Sequence, residues 1–122
     1  GTAISKICDV GVARTGLQAK EIESLGLSYV SSKIESKTRA GYYPDAQDIT
    51  VKVLAESGSG RLLGGQIVGK GGAAKRVDVL ATALHAGFGV QEMVHLDLSY
   101  APPFSPVWDP VLIAVRQVLK KI

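Results

Sequence analysis

The chain has 122 residues, 14 basic and 11 acidic, for a net charge of +3, and its side chains are 46% hydrophobic, 20% charged and 6% aromatic. That balance excludes a disordered tail, and a chain of this length folds as one domain, burying about two-thirds of its extended surface. Scattered basic residues and sparse aromatics argue against nucleic-acid binding, no apolar run is long enough to cross a membrane, and a single cysteine, Cys8, excludes an internal disulfide framework and fits the reducing cytoplasm.

Residues Ala3 to Val12 place Ile4, Cys8, Val10 and Val12 on one parity, which predicts a strand with Cys8 half-buried and inert. A strand beginning almost at the first residue is expected of a piece of a longer chain. Thr15-Gly16-Leu17-Gln18 reads as a capping box, opening a helix from Leu17 to Leu25 that Gly26 ends. Leu27 to Thr38 is rich in β-branched and polar residues and predicts a long strand with one wet face. Gly41-Tyr42-Tyr43-Pro44-Asp45 is a loop. The alternation of Ile49, Val51 and Val53, the turn Ser57-Gly58-Ser59-Gly60 and the run Arg61 to Val68 predict a β-hairpin. Gly64 and Gly65 inside its second strand mark a bulge or a close backbone approach.

The period then changes. Val77, Leu80, Ala81, Leu84 and Phe88 line one helical face, with Lys75 and Arg76 on the solvated side. A short helix is expected over Val90 to Leu96. Asp97 to Asp109 contains Pro102, Pro103 and Pro106 and cannot be regular. Asp109-Pro110 starts a last helix whose apolar face is Val111, Leu112, Val115, Val118, Leu119 and Ile122. Strands preceding helices indicate an α+β fold, an antiparallel sheet with helices packed on one face.

Two glycine-rich patterns invite a nucleotide reading. Gly64 to Gly71 reads G-x-x-x-x-G-K-G but ends without the hydroxyl that would bind magnesium. Gly69 to Ala74 reads G-x-G-x-x-A between a strand and a helix, yet the strand and ribose-binding acid that should follow are missing, so a glycine-rich helix start is the simpler account. His85 and His95 lack the spacing that places two metal ligands on one helical face. The unusual feature is Leu98 to Pro110, a proline-stiffened segment carrying Tyr100, Phe104 and Trp108. It is longer and more apolar than a connector requires. By spacing alone it is either a binding or subunit surface or a loop that packs its own aromatics.

Tyr100-Ala101-Pro102-Pro103-Phe104-Ser105, followed by Trp108-Asp109-Pro110, resembles the signature of the C-terminal dimerisation domain of pyridine nucleotide–disulfide oxidoreductases. The nearest branch is that of coenzyme A–disulfide reductases, NADH oxidases and NADH peroxidases. Val12-Ala13-Arg14-Thr15-Gly16-Leu17, Ala40-Gly41-Tyr42-Tyr43-Pro44, Gly64-Gly65-Gln66-Ile67-Val68-Gly69 and Arg76-Val77-Asp78-Val79-Leu80-Ala81 agree in order, so the resemblance covers essentially the whole chain. It implies that residues 1–122 are the dimerisation domain of a homodimer, preceded in the parent chain by FAD and NAD(P)H domains, and that the fragment alone holds no cofactor and turns nothing over. It further implies that the aromatic loop reaches the flavin and substrate site of the other subunit. Tyr100 and Tyr42 would be the catalytic phenols, Tyr43 being the rival of Tyr42, and Ala101, Pro102, Pro103 and Phe104 would wall the cofactor. The His-Pro pair of the glutathione-reductase branch is replaced here by Pro102-Pro103. Coenzyme A disulfide, polysulfide, oxygen or peroxide are therefore the implied substrates, and not glutathione disulfide. The competing readings are a stand-alone interaction module without redox work and a small nucleotide-binding protein using Gly69 to Ala74.

Overall fold

A computed structural model describes residues 1–122. The elements in chain order are β1 Ala3–Ile7, β2 Val10–Gly16, α1 Ala19–Ser24, β3 Tyr29–Lys37, β4 Asp48–Glu56, β5 Leu62–Gly69, α2 Ala73–Ala86, α3 Val90–Met93 and α4 Pro110–Leu119. All strand pairings are antiparallel, in the order β1-β2-β5-β4-β3. Because strand side chains alternate between faces, Ile49, Val51, Val53 and Ala55 of β4 all point one way. There they pack with Val77 and Leu80 of α2 and Val111, Val115 and Val118 of α4 in the main core. α2 lies over β2 and β5, α4 over β3 and β4. The α+β architecture and the β4–β5 hairpin are as the sequence predicts.

The glycines of β5 mark both a bulge and a close approach. Leu54 pairs with Gly64 and Ala55 with Leu62, which leaves Leu63 as the extra residue of a bulge. Leu63 is thereby turned to the other face, where it joins Leu54 and Ile22 of α1 in a separate small cluster. α1 thus adds a patch of cover on the face opposite α2 and α4. A Cβ at Gly64 would lie 2.2 Å from the carbonyl oxygen of Leu17, whose own N–H donates to the Leu63 carbonyl at 2.9 Å. Only glycine admits that approach.

Five expectations are corrected. Ala3 to Val12 is not one strand: Ile7 pairs with Val10, and Cys8-Asp9 form the intervening turn. Cys8 is exposed, at φ +55, and is not a half-buried strand residue. β1 is an exposed edge strand, so its alternation reports no core. Thr15 does not cap a helix either. It pairs with Gly65 inside the sheet, its hydroxyl bonded to that of Thr2 at 2.7 Å, and extended pairing excludes a helix start there. The cap is Gln18, whose N–H donates to Glu21 Oε1 at 3.3 Å. The last two helices are shorter than expected: α3 stops at Met93, short of Leu96, and α4 at Leu119, which leaves Ile122 exposed beyond the helix end and off its apolar face. No helix is long and apolar enough to cross a membrane.

Candidate functional site

Two irregular segments meet beyond the end of β3. The first runs from Arg39 to Ala46, and its neck is closed by two hydrogen bonds. The Thr38 N–H donates to the Gln47 carbonyl at 2.9 Å, and the Gln47 N–H donates to Thr38 Oγ1 at 3.1 Å. Within this loop Arg39 donates to the Pro44 carbonyl at 3.1 Å and sits 5.9 Å from the centre of the Tyr43 ring. The second segment is the proline-rich stretch before α4. Its prolines forbid regular pairing, and it folds into a turn in which the N–H groups of Phe104 and Ser105 donate to the Ala101 carbonyl at 2.9 and 3.1 Å. The Ala40 N–H, donating to the Pro102 carbonyl at 3.1 Å, ties one segment to the other.

This tie brings two sequence-predicted residues together. Tyr42 lies beside Tyr100, while Tyr43 is engaged with Arg39. Tyr42 is 80% exposed, Tyr100 47%, Phe104 76% and Trp108 54%, so the segment does not pack its own aromatics inward. Ala101, Pro102 and Pro103 are half-buried beneath them. The Tyr100 phenol is held above its ordinary value of 10.0, first by desolvation and then by the neighbouring Tyr42. Both effects favour the neutral hydroxyl. A neutral phenol donor on a stiff, apolar surface can stabilise an anion that develops against it, such as a departing thiolate.

Arg76 was expected on the solvated side of α2, and the structure corrects this. It is 8% exposed, and its Nε donates to Asp109 Oδ2 at 3.2 Å. Its Nη2 makes longer contacts of 3.4 Å with the Thr38 and Phe104 carbonyls. Nothing local marks it, since the neighbouring Lys75 in the same turn is solvated, and its three partners lie 28 to 38 residues away in sequence. Gly69 to Ala74 carries β5 into α2, with Gly72 as N-cap at φ +73. The Arg76 side chain packs against Gly72, where a Cβ would stand 2.1 Å from Nη1. No cluster of three or more His, Cys, Asp or Glu side chains is placed to hold a metal. The exposed aromatics stand over half-buried prolines and form an open surface.

A sequence profile described as "Pyridine nucleotide-disulphide oxidoreductase, dimerisation domain" matches residues 2–110. The NAD(P)H coenzyme A polysulfide/persulfide reductase of Pyrococcus horikoshii is 41% identical over 98% of this chain and 26% of its own length. The NADH oxidase of Methanocaldococcus jannaschii is 33% identical over 99% of this chain and 27% of its own. Among solved structures, an NAD-dependent persulfide reductase from A. fulgidus superposes with a TM-score of 0.95 at 42% identity, over 98% of this chain and 22% of that one. The chain thus spans about a quarter of the length of the relatives it matches. With its sheet, helices and aromatic loop in that arrangement, the chain belongs to the dimerisation-domain family of the pyridine nucleotide–disulphide oxidoreductases.

Proposed function

We propose that this domain works in a cytoplasmic, homodimeric, FAD-dependent NAD(P)H oxidoreductase, where it completes the flavin and substrate site of the partner subunit. FAD and NAD(P)H are held by domains of the same parent chain. Tyr100 and Tyr42 serve as hydrogen-bond donors to the reacting group, and Ala101, Pro102, Pro103 and Phe104 form one wall against the flavin. The observation that carries this reading is the meeting of Tyr42 and Tyr100 on an exposed, proline-stiffened aromatic surface. Such a surface loses little conformational entropy on docking, and large exposed aromatics mark contact sites. The unpaired Cys8 suits a reducing compartment.

A sulfur–sulfur bond is the substrate best supported, a persulfide or polysulfide because the Pyrococcus and A. fulgidus proteins are named for such reductions, or a coenzyme A disulfide because a Staphylococcus haemolyticus relative is named for that one. The flavin, when bound, supplies the two-electron transfer. The phenols hold the sulfur leaving group through hydrogen bonds, and Tyr100, shifted away from ionisation, keeps its own proton. Oxygen or peroxide is a second reading, favoured by the likeness to the NADH oxidase. In the intact enzyme, Tyr100→Phe is expected to lower kcat by about tenfold or more while changing the KM for NAD(P)H by less than about twofold. Steady-state kinetics on both substrates check this, and unchanged turnover would remove Tyr100 from the chemistry.

A further inference from the structure

We propose that Arg76 is a positioning residue for this site, its buried guanidinium joining the loop that bears Tyr42 to the loop that bears Tyr100. The inference rests on the tyrosine-pair reading above and extends it to a residue that donates to neither phenol.

Three residues from two loops converge on one side chain. Thr38 is the neck of the first loop, Phe104 closes the turn of the second, and Asp109 ends the second loop and caps α4 by accepting from the Val111 N–H at 2.9 Å. Arg76 reaches all three from the first turn of α2, through Nε to Asp109 and through Nη2 to the carbonyls of Thr38 and Phe104. Its position at the positive end of α2 is electrostatically unfavourable, so the helix gains nothing from a cation there. The Asp109 carboxylate, itself only 13% exposed at the side chain, supplies the compensation. A buried ion pair is weak evidence for a stabilising role, because desolvation offsets most of the attraction. It is strong in direction, however, since a planar guanidinium fixes the orientation of several acceptors at once, which a lysine ammonium cannot do. Gly72 keeps the slot open: a Cβ there would stand 2.1 Å from Arg76 Nη1. Without the fork, the direct hydrogen bond left between the two loops is that from Ala40 to Pro102.

The test uses this 122-residue chain with 13C-labelled tyrosine, following the Tyr100 ring by NMR as pH is raised. Two variants are compared with the wild type. Arg76→Lys keeps the charge and loses the fork. Asp109→Asn keeps an oxygen to cap α4 and loses the ion pair, so it decides the matter should Arg76→Lys fail to fold. In both, Tyr100 is expected to titrate closer to 10.0 and to stop responding to an added Tyr42→Phe substitution, because the two phenols no longer meet. Folded variants in which Tyr100 titrates as in the wild type, and still responds to Tyr42→Phe, would overturn the proposal. So would an equal change in Val118→Ala, which loosens the core under α4 without touching Arg76 and reports general destabilisation. The readout needs no flavin, so it is separable from the functional reading: a failed Tyr100→Phe kinetic test leaves this result standing, and the reverse holds as well.

Discussion

Tyr100 keeps its proton through the whole physiological range, and the sign of its shift decides what it can do. Its pKa lies above 10.0 because the phenolate is poorly solvated and because Tyr42 sits beside it. Any stability the contact contributes is therefore complete below pH 10.0 and is lost as pH rises through the folded-state value. A group that does not titrate near neutrality donates a hydrogen bond of constant strength there. The ratio of wild-type to Tyr100→Phe turnover is accordingly expected to stay flat across roughly pH 6–9, when the two kcat profiles are measured in parallel. A ratio that fell on the alkaline side within that window would mean that the phenol delivers its proton, and the donor role would have to be abandoned. Nearby, the Arg116 guanidinium lies 4.4 Å from the Trp108 ring centre, a cation–π contact worth about 0.5–1 kcal/mol at an exposed site. It steadies Trp108 at the start of α4 while leaving the ring face open on one side.

α1 stands apart from the rest of the helices, because its only buried side chain, Ile22, packs in the small cluster with Leu54 and Leu63 and not in the main core. A helix of six residues has little stability of its own and depends on that contact. Ile22→Ala is therefore expected to cost about 2–4 kcal/mol locally and to release α1 without unfolding α2 or α4. Hydrogen exchange checks this: the α1 amides should exchange faster while those of α4 keep their protection, and uniform acceleration across the chain would mean that the two clusters unfold as one. Elements with strong local signals were legible in the sequence. The β4–β5 hairpin had alternation plus a glycine turn, α2 and α4 had their period, and Asp109-Pro110 had its cap. The β1–β2 turn was hidden because Cys8-Asp9 carries no glycine, and Cys8 supplies the positive φ itself. The helix start was misplaced because Thr15-to-Gln18 and Gln18-to-Glu21 both have capping-box spacing, and pairing of Thr15 with Gly65, a non-local contact, selects the second. The site was half legible for the same reason. The proline and aromatic segment announced itself around Tyr100, whereas the approach of Tyr42 and the burial of Arg76 depend on contacts between residues far apart in the chain.

The domain leaves Phe104, Val107 and Trp108 exposed in the same proline-rich segment as Tyr100, an apolar surface that a second subunit would cover. In a two-fold dimer such a surface is used twice, and on the proposed function each copy would give its loops to one site and receive its partner's at the other. This arrangement has a consequence that kinetics on uniform mutants cannot show. Tyr100→Phe removes the donor, while a substitution in the flavin-binding part of the parent chain disables the redox centre, so each homodimer keeps about a tenth of wild-type turnover or less. If Tyr100 serves its own chain's flavin, a mixed dimer of the two mutants stays at that low level. If it serves the neighbour's, one site of the mixed dimer combines the intact flavin of the first chain with the intact Tyr100 of the second, and that site works. Co-expression of the two mutants with different affinity tags, followed by purification of the mixed dimer, is expected to restore one functional site per dimer. Recovery should vanish when both substitutions are placed in the same chain of the mixed dimer, beside a chain that also carries Tyr100→Phe. A mixed dimer that retains its flavin yet stays at the low level would show instead that Tyr100 does not reach the partner's site.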